Sequence, residues 1–169
     1  RLSRAETIVY RHGDLGQLRE KLSTTGKGRD SLVSDTLFSM DGDMVDLRGL
    51  VTLGDEAGAT VIVDEAHALG TIGATGGGLT EEIGIDSRQL IRVGTLSKGL
   101  GSIGGFVVGS QLLVDWLWNR ARPQIFSTTL PPSACAAASC AIRIVQEEPE
   151  RRVRLRELSK VLTDGLRNE

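Results

Sequence analysis

Cysteine is scarce: Cys135 and Cys140 are the two in the chain. On a predicted helix, at about 100° per residue, they diverge too far for a disulfide. Neither lies in a CxxC pair or beside a metal-type histidine, so no metal site is read here. The expectation is two small buried thiols in a reducing compartment, and hence a cytoplasmic location. Positive charge is not in surplus, with 20 Lys and Arg against 22 Asp and Glu. Nothing in that balance matches a phosphate backbone, so no nucleic-acid partner is expected. The sequence also lacks any run of about 18 apolar residues, which removes a membrane-spanning helix, and its N-terminus has no apolar leader. Aromatic residues make up 4% of the chain against 40% hydrophobic overall, so an expected core must be aliphatic.

Glycine is abundant: 21 residues of 169, where about 7% is average. Many fall between Gly70 and Gly109, as in backbone that turns sharply or approaches a ligand closely. The periodicities alternate. Thr7–Tyr10 reads as a strand, Leu15–Leu22 as a helix, Ser31–Ser34 as a strand, Asp46–Ala57 as a helix and Ala59–Val63 as a strand ending at Asp64. Leu90–Val93 and Phe106–Val108 read as two more strands. Too little chain separates them for a helical crossover, so the second is expected to run antiparallel. Leu112–Arg120, Ser133–Gln146 and Glu150–Leu166 read as helices. The last carries an apolar stripe from Val153 to Leu166 that needs a partner, while the Arg151, Arg152, Arg154 and Arg156 run reads as a solvated face. Trp116 and Trp118 are two apart, so at most one should face the core. The expected fold is α/β: a mostly parallel sheet with one antiparallel strand and helices on both faces.

Three motifs compete for the chemistry. Gly99-Leu-Gly101-Ser-Ile-Gly104 matches the GxGxxG dinucleotide fingerprint, but Thr95–Lys98 intervenes after the strand, and a strand rather than a helix follows. Asp64-Glu65-Ala66-His67 spells the DEAH string of helicase ATPases, but no upstream GxxxxGK[ST] loop is present to hold phosphates. The third reading joins both segments. Ligands of open α/β sheets lie beyond the carboxyl ends of the strands, where Asp64 and His67 are expected, and Lys98 follows in the next glycine-rich turn. A carboxylate, an imidazole and an amine around one hollow suit pyridoxal phosphate. That cofactor needs a lysine for covalent attachment and an acid against its pyridine nitrogen. Candidate donors to its phenolic oxygen are His67 and Ser39, and Thr95 is a candidate for its phosphate. Each has a plain structural alternative: a capping histidine, a turn hydroxyl, a local Ser/Thr turn. His12 reads as structural.

Four runs, in order, carry a family resemblance: Phe38–Asp43, Val63–Gly70, Gly94–Gly101 and Ile125–Pro132. Together they resemble signatures of the α-oxoamine synthases, fold-type I enzymes that include 8-amino-7-oxononanoate synthase, glycine C-acetyltransferase, 5-aminolevulinate synthase and serine palmitoyltransferase. The resemblance implies Lys98 as the Schiff-base lysine, Asp64 on the pyridine nitrogen, His67 with Ser39 on the phenolic oxygen, and Thr95 on the phosphate. It also implies a homodimer in which Ser127, or failing it Thr128, reaches the neighbouring subunit's cofactor phosphate. The implied reaction is decarboxylative condensation of an amino acid with an acyl-CoA. Residues 1–148 correspond to the central part of the cofactor-binding large domain, and 149–169 to the start of a helix leading towards a C-terminal small domain. The family's upstream phosphate loop and ring-stacking histidine, and its downstream substrate-binding arginine, have no counterpart here. The isolated chain is therefore expected to have little activity. The other reading is a non-catalytic dimerisation or scaffold segment.

Overall fold

The computed structural model describes residues 4–25, 30–85 and 90–167. Two helices begin on aspartate caps. In α1 (Leu15–Thr24), the Asp14 carboxylate accepts the Gln17 N–H at 2.8 Å, satisfying an otherwise orphaned donor. That bond is the largest influence holding the Asp14 carboxyl below its ordinary pKa. In α2 (Leu47–Ala57), Asp46 accepts from the Gly49 N–H at 2.9 Å, and Gly58 ends the helix in the left-handed region at φ 65°.

Four strands, β1 (Ser31–Asp35), β2 (Thr60–Asp64), β3 (Leu90–Thr95) and β4 (Gly105–Val108), pair in chain order. The first three are parallel and β4 runs antiparallel to β3, as the short connection requires. Strand alternation sends Leu32, Val61, Val63 and Leu90 to one face, where they form a single buried cluster with Leu18 of α1 and Leu47, Leu50, Val51 and Leu53 of α2. Removing so much aliphatic surface from water is what fixes the two helices on that face. Gly54 makes the approach possible, because any side chain there would strike Val61. On the opposite face Val33 is 61% exposed, and Leu113 of α4 (Gln111–Arg120) reaches over Gly109 towards Ile91.

The remaining helices are α3 (Leu79–Glu82), α5 (Arg122–Ile125), α6 (Pro132–Glu147) and α7 (Glu150–Arg167). The sequence periodicities missed α3 and α5, each a single turn and too short to carry a period. The α/β reading with one antiparallel strand holds, but four local expectations do not. Thr7–Tyr10 forms no strand among the described residues. Its β-branched residues have no neighbouring strand to pair with, and Val9 is 79% exposed. Cys135 and Cys140 are both exposed, because Ala138 is the buried residue of α6. Arg152 is not solvated: it is 4% exposed, and its guanidinium donates to the Ala74 carbonyl at 2.6 Å and to the Val145 carbonyl. The expectation that at most one of Trp116 and Trp118 faces the core is met, since both are exposed on α4. The α7 stripe packs little, with Val153, Leu158 and Leu162 all exposed. Among the described residues, no helix is long and apolar enough to cross a membrane.

Candidate active site

Parallel pairing brings three loops to one end of the sheet. Asp35 is in register with Asp64, and Asp64 with Val93, so Thr95 lies one pleat further on the same face. Residues 36–44, 65–78 and 96–104 all leave from this edge, where ligands of open α/β sheets bind.

The first loop carries Ser39. It closes through an isolated bridge between Leu37 and Met44 and a Phe38 N–H bond to the Asp43 carbonyl at 2.9 Å. Ser39 sits exposed at its tip. His12 pins the loop from outside: its Nε2 is 2.8 Å from Asp43 Oδ2, and its ring stands edge-on to Phe38 at 4.3 Å. The Asp43 hydrogen bond, more than the nearby charges, raises the His12 pKa above its ordinary 6.5. Protonated His12 thus adds stability below pH 6.5, and the contribution fades as pH rises through the raised value. An NMR titration of the His12 ring is expected to give a midpoint above 6.5, and Asp43→Asn to bring it back down.

The second loop carries Asp64, Glu65 and His67. Asp64 ends β2 half-buried. Its carbonyl accepts the Thr36 N–H at 2.9 Å and the Thr36 hydroxyl at 3.1 Å, and its Oδ1 accepts the Ala66 N–H at 2.8 Å. Backbone and one carboxylate oxygen are therefore fixed, and Oδ2 has no partner among the described residues. His67 is half-buried, and its ring makes no hydrogen bond among the described residues. Its carbonyl accepts the Thr71 hydroxyl at 3.0 Å, so the turn is capped by the backbone and not by the imidazole.

Glu65 had no separate role in the sequence reading, yet it is 1% exposed and organises the loop. Its Oε2 accepts the Thr36 hydroxyl at 2.9 Å and the Leu79 N–H at 3.0 Å, and its Oε1 accepts the Thr80 N–H at 3.1 Å, with Arg92 Nη2 at 3.6 Å. Arg92 also donates to the Gly77 carbonyl. A signal was present in the sequence. Alternation puts Glu65 on the same side as Val63, which is fully buried, and a carboxylate on a core face needs partners. Glu81 holds the outer part of the loop, accepting the Thr75 and Gly77 N–H groups at 2.8 and 2.7 Å. Burial pushes its pKa up, but these bonds and the Arg152 charge outweigh burial and leave it below the ordinary value.

Gly78 is where the clamp demands glycine. Its φ of 94° and ψ of −171° lie in a region open to glycine almost alone, and a Cβ there would run into the Glu65 carboxylate. Gly78→Ala is expected to cost about 3 kcal/mol, combining backbone strain with loss of a buried hydrogen bond. Gly101→Ala is the control, with φ 58° and open space around it; about 1 kcal/mol is expected there. Melting temperatures of the two variants give the comparison.

The third loop carries Thr95 and Lys98. The Thr95 hydroxyl donates to the Gly104 carbonyl at 3.0 Å, lies 2.7 Å from Ser97 Oγ and accepts the Ser97 N–H at 3.2 Å, so it first builds the turn. Lys98 stands exposed at the crown, its carbonyl accepting the Gly101 N–H at 2.9 Å. Its ammonium has no partner among the described residues. The second and third loops touch directly: a side chain at Gly99 would collide with the Leu69 carbonyl oxygen. The GxGxxG glycines thus seat one loop on another and open β4, not a helix, which removes the dinucleotide reading.

Ser127 and Thr128 lie on the segment between α5 and α6. Ser127 Oγ donates to the Gln124 carbonyl at 3.0 Å, and Thr128 and Thr129 both take positive φ, 58° and 76°. With Trp118, Gln124 and Ile125 they line an open hollow of about 460 Å³. Leu130 packs over Gly104, and Ser102 Oγ donates to the Ala134 carbonyl at 2.8 Å, joining this segment to the Lys98 loop.

A mixed α/β sheet whose parallel strands β2 and β3 are followed by loops carrying a carboxylate, an imidazole and an amine at one end defines an open α/β domain with a candidate site at its carboxyl end. The chain belongs to the aminotransferase class I and II family, whose sequence profile it matches over residues 1–169. It is 48% identical over 165 residues to an 8-amino-7-oxononanoate synthase of Anaeromyxobacter dehalogenans, covering 98% of this chain and 42% of that protein. Its fold superposes on a serine palmitoyltransferase solved with PLP as internal aldimine, with a TM-score of 0.88 and 35% identity over 94% of this chain and 40% of that one. An 8-amino-7-oxononanoate synthase from Francisella tularensis gives 0.79 and 29%, over 92% of this chain and 45% of that one. The chain spans less than half the length of these relatives. The resemblance to α-oxoamine synthases read from the four motifs is borne out.

Proposed function

We propose that the parent of this chain is a pyridoxal-phosphate-dependent acyltransferase that condenses an amino acid with an acyl-CoA, in the manner of 8-amino-7-oxononanoate synthase. Residues 1–148 form the central part of its large domain, and 149–169 lead towards a second domain. The observation that carries the proposal is that one end of the sheet holds both a carboxylate with one oxygen spare and a neighbouring turn presenting a lysine, that oxygen and the lysine amine each without a partner among the described residues. This donor set fits the cofactor: acid, imidazole, amine and hydroxyls, with glycines that let two main chains close on each other. When bound, pyridoxal phosphate supplies an electron sink for a carbanion at the amino acid's α-carbon.

The protein's own groups do the rest. Lys98, whose exposed amine has no partner among the described residues, would hold the cofactor covalently. Asp64 would accept a hydrogen bond from the protonated ring nitrogen through its spare oxygen and so hold the proton there. His67 and Ser39 would orient the phenolic oxygen, and Thr95 would serve the phosphate. Ser127 extends to the phosphate held by a second copy of the chain in a shared homodimeric site, with Thr128 as the neighbouring candidate. A cytoplasmic location accords with a soluble biosynthetic role.

A serine palmitoyltransferase-like specificity is the second reading, favoured by the higher TM-score of that neighbour. The test is to add pyridoxal phosphate to the parent protein, reduce with borohydride, locate the labelled peptide, and then follow CoA release from a panel of acyl-CoAs with alanine, glycine or serine. Label on Lys98 and release with a pairing other than palmitoyl-CoA and serine support the first reading; release with palmitoyl-CoA and serine supports the second. Absence of label with every substrate silent leaves a scaffold segment.

A further inference from the structure

The buried carboxylate next to Asp64 has no place in the chemistry described above. Glu65 is shut off from solvent together with Thr36, which is fully buried. Between them they join all three strand ends. Thr36 follows β1 and donates its hydroxyl to both the Asp64 carbonyl and Glu65 Oε2. Leu79 and Thr80 open α3 and give their N–H groups to the two carboxylate oxygens. Arg92 belongs to β3 and places its guanidinium beside Oε1 while also holding the Gly77 carbonyl. The Glu65 N–H itself bonds the Val93 carbonyl at 2.8 Å, extending the β2–β3 ladder one residue beyond the strand. Glu65 lies between Asp64 and His67 in sequence, so its main-chain orientation dictates theirs. An acceptor-only group meeting four donors from three elements suits such a hub.

We infer that Glu65 is a positioning residue: by clamping the start of α3, the end of β1 and Arg92 onto the end of β2, it sets the directions in which Asp64 and His67 present their side chains to the cofactor. The inference rests on the function proposed above. Its substitution therefore acts on the cofactor through its neighbours and not through contact.

The test uses the parent protein with Glu65→Gln. One carboxylate oxygen becomes an NH2 group facing N–H donors, so the amide cannot reproduce the clamp. Three readouts are taken: hydrogen exchange at the Leu79 and Thr80 amides, the dissociation constant for pyridoxal phosphate, and the pH dependence of the bound cofactor's visible absorbance. The expected result is exchange faster by about tenfold at those two amides, with cofactor affinity weakened by at least about tenfold and the absorbance midpoint displaced. Faster exchange or a lower melting temperature with affinity and pH profile unmoved overturns the inference, because the clamp would then serve stability alone.

Should Glu65→Gln fail to fold, Thr36→Val removes one donor and leaves the carboxylate in place. A roughly threefold weakening of cofactor affinity is then expected, and no change overturns the inference. Borohydride labelling of Lys98 in the unsubstituted protein separates the two levels. Loss of that label there removes the proposed function and this inference together, whereas its presence with an unaffected Glu65→Gln variant removes this inference alone.

Discussion

Lys98→Ala in the parent protein is expected to abolish borohydride-trapped cofactor and to reduce turnover by at least about a thousandfold, since a covalent anchor has no substitute among neighbouring groups. The lysine can be removed cleanly. Its side chain is exposed, its ammonium has no partner among the described residues, and the turn is held by main-chain bonds: Gly101 N–H to the Lys98 carbonyl at 2.9 Å and Ser102 N–H to the Leu96 carbonyl at 2.7 Å. Melting temperature should therefore move little. Lys98→Arg keeps the positive charge but cannot form the covalent link, so it should fail equally and show that charge alone does not serve. Lys160, paired with Asp164 at 2.8 Å on the exposed side of α7, is the control whose alanine variant retains the label. Label persisting on the same peptide in Lys98→Ala would sink the assignment.

Asp64→Asn is expected to lower turnover by about a hundredfold to a thousandfold, the range for losing one preorganised electrostatic partner, with the fold nearly unchanged. The amide is isosteric, and its oxygen can still accept the Ala66 N–H that now holds Oδ1. The Thr36 bonds to the Asp64 carbonyl involve main chain and survive the substitution. What disappears is the negative charge at Oδ2, which in the proposed site would keep a proton on the ring nitrogen. The variant should still carry the borohydride label on Lys98, which separates its defect from that of Lys98→Ala. A pH titration of the bound cofactor's absorbance measures the loss directly. Wild-type turnover would show that the ring nitrogen is held elsewhere.

Much of this architecture was legible in residues whose environment is set locally. Apolar spacing located α1, α2, α4, α6 and α7 and the four strands to within a residue or two, and the short interval between β3 and β4 dictated the antiparallel pair. Asp64, His67 and Lys98 were legible as a group because parallel strands deliver their successors to the same edge. What escaped depended on distant parts of the chain. Thr7–Tyr10 has strand propensity but no strand beside it among the described residues. Cys135 and Cys140 carry small side chains on an Ala-rich helix, a pattern that does not tell a buried face from an open one. Arg152 resembles its exposed neighbours in sequence and differs from them by meeting Ala74, 78 positions away. Glu65 sits inside a string that also spells a nucleotide-hydrolysis motif, and only the alternation that puts it on the same side as Val63 marks it as buried.

The contact between Gly99 and Leu69 has a mechanical corollary. Main chain lies against main chain there, with no side-chain bond to rotate between them, so a shift of the turn bearing the amine presses directly on the turn bearing the imidazole. Residues further out can then be exchanged without altering the separation between the amine-bearing and imidazole-bearing turns.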